Sequence, residues 1–131
     1  TDTLAKHNIP LKSEFVKTIE PTMSEAKKCA TQLLSLEDRP KAIFATNDLI
    51  AIGVIKTALR ANLRIPEDLS VVGFDDSNFS EIIEPELTTV RIDKEEMGRI
   101  AANKLIDILS GKKFEKEIIE CQTKLIVRGT T

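Results

Sequence analysis

Polar and apolar positions along the chain switch between a period of two and a period near 3.6. Residues 13–19 (Ser-Glu-Phe-Val-Lys-Thr-Ile) alternate, which predicts a β-strand that Pro21 ends. Thr22 and Glu25 then stand at capping-box spacing. Met23, Ala26, Ala30, Leu33 and Leu34 recur on one helical face, so residues 22–37 read as an amphipathic helix. Asp38-Arg39-Pro40 stops it, and residues 42–46 (Ala-Ile-Phe-Ala-Thr) read as a buried strand. Asp48 is a natural N-cap for a helix over 49–62. The loop Arg64-Ile65-Pro66-Glu67-Asp68 leads into a strand over 69–74. Residues 77–87 are irregular with room for one helical turn, and 88–92 are extended. A helix over 94–109 places Met97, Ile100, Ala101, Leu105, Ile106 and Leu109 on one side, with Ser110-Gly111 as its stop. The tail from 116 is β-rich.

Strand and helix in alternation with short connections predict an α/β fold, with a mostly parallel sheet flanked by helices. In such sheets ligands bind outside the carboxyl ends of the strands. Two predicted strands stop on polar pairs, Asn47-Asp48 and Asp75-Asp76. If the strands are parallel, both pairs share one rim. Carboxylates and carboxamides suit hydroxyl-rich ligands, because an ionised Asp accepts from two hydroxyls while Asn donates and accepts. Asn47 and Asp75 are therefore the ligand candidates. Asp48 is assigned to capping. Asp76 is assigned first to a local turn and second to ligand contact. Phe74 belongs to the core by its strand position. Phe79, in the loop beyond the acids, is a weaker candidate for the mouth of the site.

The helix over 49–62 carries too much apolar surface for one contact. Its apolar positions, from Leu49 and Ile52 through Ile55 to Leu59, span about 260° of the axis, whereas a helix on a sheet needs a stripe of roughly 100°. The excess must meet another helix of the chain or a second subunit, and a second subunit is the expectation. Gly53 in the same helix belongs to no phosphate motif and points to close packing.

The 131 residues fit one domain, with 41% hydrophobic and 31% charged residues and a formal net charge of −2. That balance gives no global drive toward nucleic acid or an anionic membrane, and no apolar stretch is long enough to span a bilayer. The opening residues contain no signal-peptide core, and the abrupt start fits a piece of a longer protein. Cys29 and Cys121 lack metal-site spacing. Cys29 falls on the buried face of its helix, which suits a free thiol in a reducing cytoplasm. The only histidine, His7, lies in a polar segment and is expected at the surface. No nucleophile setting, glycine-rich phosphate loop or Asp/His cluster is present. An Asp pair can hold Mg²⁺, but such sites also need a phosphate cradle. No catalytic residue, metal or cofactor is expected.

Taken in order, the motifs resemble the LacI/GalR family of bacterial transcription regulators. They are "RPKAIFATNDLIAIGVIKTALRANLRIPEDLSVVGFDD" (39–76), "PELTTVRID" (85–93), Gly98, and "LIVRGTT" (125–131). The resemblance runs from about residue 20 to the C-terminus. It implies a type I periplasmic-binding-protein fold of two α/β subdomains with a ligand in the cleft. Residues 1–91 and about 117–131 would form one subdomain, and the helical segment at about 92–116 would belong to the other. It implies ligand contacts at Asn47 and Asp75. The position after "TTVR", often a polar ligand contact in the family, is Ile92 here. It implies a homodimer surface at Leu49, Ile52, Ile55 and Leu59 with Ile82 and Ile83. The implied function is an effector-sensing and dimerising module of a cytoplasmic DNA-binding regulator. Its effector would be a sugar or sugar phosphate, and operator DNA would be read by a helix-turn-helix that this chain does not contain. The alternative is a sugar-binding protein of an ABC transporter.

Overall fold

The computed structural model describes residues 2–113 and 118–131. A short helix, α1 (Asp2–Lys6), buries nothing, and His7 beyond it is exposed. The strand expected over 13–19 is absent. Ser13–Phe15 make a 3-10 turn and the following residues run extended without joining the sheet. Alternation makes a strand only where a neighbouring strand pairs with the backbone, and no described strand pairs with this segment.

Helix α2 (Met23–Leu34) starts where its box predicts: the Thr22 hydroxyl accepts from the Glu25 N–H at 3.2 Å. It ends earlier than its periodicity suggested and buries Ala26, Ala30 and Leu33. Helix α3 (Asp48–Arg60) packs against it. A Cβ on Gly53 would stand 2.6 Å from the Ala26 Cβ, so the two helices approach through a position that only glycine fills without displacement. Much of the wide apolar arc of α3 is thereby explained within the chain, because α3 faces α2 as well as the sheet.

Strands β1 (Ala42–Phe44), β2 (Ser70–Phe74), β3 (Thr88–Ile92) and β4 (Thr123–Ile126) form one sheet in chain order. β1, β2 and β3 are parallel; β4 runs antiparallel to β3 with Val90 opposite Leu125. Ile55, Leu69, Val71 and Leu87 are fully buried between helices and sheet. Full burial of such a side chain is worth about 1.5–3 kcal/mol. The tail after β4 is tied in by Thr130, whose hydroxyl accepts from the Thr88 N–H at 2.9 Å and donates to the Val71 carbonyl at 2.6 Å.

The other face of the sheet is only partly covered by the described residues. Phe44, Val72, Phe74, Val90 and Leu125 follow one another across it in register, half-buried or exposed. Phe74, expected in the core, is therefore only half-buried. Cys29 is likewise half-buried, and desolvation raises its thiol pKa despite the pull of Lys17. Helix α4 (Lys94–Leu109) begins on Asp93, which accepts from the Glu96 N–H at 2.9 Å, and it buries no residue at all. The expected segment boundary near 116 and 117 lies outside the described residues.

Candidate functional site

The parallel ladders bring the carboxyl ends of β1, β2 and β3 to one rim, with Asn47, Asp75, Asp76 and Arg91 on it. Asn47, rather than Asp48, is the cap of α3: its Oδ1 accepts from the Ile50 N–H at 2.9 Å. One amide oxygen is so committed, while its NH₂ donates to no group of the described chain and remains free for a ligand.

Asp48 is turned inward instead and is buried. One carboxylate oxygen accepts from the Thr89 hydroxyl at 2.6 Å, the other from the Ser77 N–H at 2.6 Å. These bonds join the start of α3 to β3 and to the loop after β2. Gly73 makes room for them, since a Cβ there would lie 2.4 Å from Asp48 Oδ1 and 2.9 Å from Leu87 Cδ2.

The chain turns sharply after β2. Asp75 (φ 113°) and Asp76 (φ 47°) both have positive φ, which is uncommon outside glycine and better tolerated by Asp and Asn. The Asp75 N–H still bonds the Val90 carbonyl at 2.9 Å, so the residue is fixed to β3. Its half-buried carboxylate has no hydrogen bond or ion pair within the described chain. Asp76 is the opposite case. Its Oδ1 accepts from Arg128 at 2.9 Å and from the Ser80 hydroxyl at 3.2 Å, and its Oδ2 accepts from Arg91 Nε. Burial raises the Asp76 pKa, but hydrogen bonds from Arg91 and Arg128 outweigh it and hold the carboxyl below its usual range. Asp76 therefore answers to the protein, with its turn bond to Ser80 only one of its contacts.

Arg128 is the residue that periodicity could not show. Its side chain is 7% exposed. Beyond Asp76 it donates to the Leu87 carbonyl at 2.9 Å and to Glu81 at 2.8 Å, while its own N–H donates to the Thr88 hydroxyl at 2.8 Å. Burial lowers its pKa, but Asp76 and Glu81 more than offset this and keep the guanidinium charged.

Phe79 takes part in another surface. It is 65% exposed and lines an apolar groove of 390 Å³ with Ile52, Leu59, Ile82 and Ile83. Leu49 is partly exposed on the same helix. Ile55 has no surface to offer a second subunit: it is 0% exposed, pointing into the core from the sheet side of α3. Ile92 lines a different hollow, of 480 Å³, at the end of β3 with Asp93, Gln122 and Lys124. Among the described residues no group of three or more His, Cys, Asp or Glu side chains is placed to hold a metal ion.

The whole chain, residues 1–131, matches the family described as periplasmic binding protein-like domain. It is 35% identical over 129 residues to the NTD biosynthesis operon regulator NtdR of Bacillus subtilis, covering 98% of this chain and 39% of that protein. Among solved structures it superposes on the transcriptional regulator CelR–cellobiose complex with a TM-score of 0.93 at 29% identity, covering 99% of this chain and 40% of that one. It also superposes on a LacI family regulator from Lactobacillus casei with bound sucrose, with a TM-score of 0.85 at 28% identity, covering 99% and 48%. The chain thus spans under half the length of these relatives. It belongs to the periplasmic binding protein-like domain family, in the effector-binding form carried by LacI/GalR regulators.

Proposed function

We propose that the chain is the effector-sensing and dimerising part of a cytoplasmic LacI-type transcription regulator, and that the effector is a sugar or sugar phosphate held at Asn47 and Asp75. The observation that carries this reading is Asp75: a carboxylate without a protein partner, set by a left-handed turn on the carboxyl rim of a parallel sheet. The relatives solved with cellobiose and sucrose support the ligand class. Operator DNA would be bound by a helix-turn-helix outside this chain. The groove of Ile52, Leu59, Phe79, Ile82 and Ile83 would receive a second copy, with Leu49 at its margin. Helix α4 would pack in a second subdomain, in keeping with its lack of any buried residue.

One rim is one wall. A site normally encloses most of its ligand, so affinity should appear when the chain is extended to the length of its relatives. Calorimetric titration of a sugar panel into that longer protein should find at least one ligand, and Asp75→Ala should cost about 1–3 kcal/mol of its affinity. Unchanged affinity in both Asp75→Ala and Asn47→Ala removes these residues from the site.

A further inference from the structure

Between the rim and the apolar groove lies a single short stretch, residues 75–83. Its first residue is the ligand candidate Asp75; Phe79, Ile82 and Ile83 at its far end line the groove. Such a stretch has little regular structure of its own, only the turn Asn78–Ser80. Asp48, Thr89 and Arg91 hold its rim end, and one side chain reaches both ends. The Arg128 guanidinium reaches Asp76 Oδ1 at 2.9 Å next to the rim, Ser80 Oγ at 3.4 Å in the turn, and Glu81 Oε1 at 2.8 Å beside the groove. It also fixes the Leu87 carbonyl at 2.9 Å, where the chain re-enters the sheet. Loop amides bind into the same assembly, Ser77 on Asp48 at 2.6 Å and Leu87 on the Ser80 carbonyl at 2.8 Å.

We propose that Arg128 is a positioning residue that makes the effector rim and the dimer groove one cooperative unit, so that a change at Asp75 is felt at Phe79, Ile82 and Ile83. Arg128 touches neither ligand nor second subunit in this scheme. It acts because a planar guanidinium with several donors bonds the two ends of the loop at once, which lysine, a single ammonium on a flexible stem, does not. Coupling between two sites needs an element whose state both sites bias, and the clamped loop is that element. The inference rests on the proposed rim and groove for its meaning, but the cooperativity itself is measurable without ligand or dimer.

The test is native-state amide hydrogen exchange by NMR over a series of low denaturant concentrations. The reporters are the bonded N–H groups of Asp75 and Ser77 on the rim side, and of Ser80, Ile83 and Leu87 on the groove side. In the unaltered protein all of them should open together, with protection agreeing within about threefold. In Arg128→Lys the groove-side amides should lose at least tenfold protection while Asp75 changes less than threefold. Glu81→Gln, which removes only an exposed partner and endangers the fold less, should produce the same split to a smaller degree. Separate opening of the two sets in the unaltered protein overturns the proposal. So does an equal loss at every reporter in both variants, which is what a merely structural role predicts. Sedimentation of the same samples reports the dimer independently, so a monomer that opens as one unit loses the dimer reading and keeps the coupling.

Discussion

Asp48 separates two accounts of the start of α3 by a margin large enough to measure. As an N-cap its removal would cost about 1 kcal/mol. The structure makes Asn47 the cap and Asp48 a buried carboxylate that satisfies the Thr89 hydroxyl and the Ser77 N–H, each at 2.6 Å. Hydrogen bonds to a charged group are worth about 1.5–3 kcal/mol each, and Asp48→Ala loses both while leaving one buried and one half-buried donor without acceptors. The expected cost is about 3–5 kcal/mol. Asp48→Asn should be far milder, at about 1 kcal/mol, because the amide oxygen still accepts from Ser77 while the Thr89 hydroxyl rotates to accept from the NH₂. The assay is urea unfolding followed by far-UV circular dichroism. At an m value of about 2 kcal/mol/M, Asp48→Ala should lower the midpoint by about 2 M. Thr89→Val in a double-mutant cycle with Asp48→Ala should show a coupling of about 1–2 kcal/mol. An Asp48→Ala cost of 1 kcal/mol or less, or full additivity with Thr89→Val, would refute this account and return Asp48 to the helix end.

Ile82→Asp should give a folded monomer by analytical ultracentrifugation, since Ile82 is 74% exposed beside the groove; a dimer unchanged by it places the interface elsewhere. Ile55→Asp should fail to fold or lose more than 4 kcal/mol by urea unfolding, because it would put a charge into the fully buried core. Asp76 has a folded pKa below its unfolded value of about 3.9, so its stabilisation is complete above that value and fades as pH falls through the lower folded value. Asp76→Asn should therefore be less stable than the unaltered protein at pH 7 by about 1–3 kcal/mol, and the gap should close below about pH 4; a gap constant down to pH 2 means the carboxylate charge is not what Arg91 and Arg128 use.

Local signals gave the local features. Helices α2 and α3 and the positions of the first three strands follow from periodicity, because a helix face or a strand is specified within a dozen residues, although β1, expected to be buried, is mostly exposed. The rim followed as well: once the strands are parallel, their polar ends meet on one edge. The errors came where distant residues decide. Asn47 and Asp48 are equally able to cap, and the choice is made by Thr89, Ser77 and the missing side chain of Gly73, all far along the chain. Ile52 and Ile55 lie on the same broad apolar arc and both belong to the core, yet only Ile52, 7% exposed, also borders the groove, while Ile55 is wholly enclosed on the sheet side of α3. Arg128 bonds residues forty or more positions away, which leaves no spacing to read. Only its place in the tail motif marked it.

The remaining disagreement between pattern and burial is itself informative. Helix α4 has a sequence built for packing, with Met97, Leu105, Ile106 and Leu109 on its apolar side, and all of these are at least 44% exposed. A hydrophobic stripe at helical spacing records a contact, and nothing within the described residues supplies it. In the proposed reading α4 packs in a second subdomain of the longer protein. That assignment makes the energetics of the helix depend on chain length. In the 131-residue chain, Leu105→Glu and Leu109→Lys should each change unfolding stability by less than about 0.5 kcal/mol, the range of surface substitutions. In a chain extended to the length of its relatives, each should cost about 2–4 kcal/mol, because the same side chain would then leave a packed core. Urea unfolding of both lengths gives the comparison directly. A cost already present in the short chain would show that α4 packs within this subdomain. Equal indifference in the long one would show that the stripe faces solvent there too.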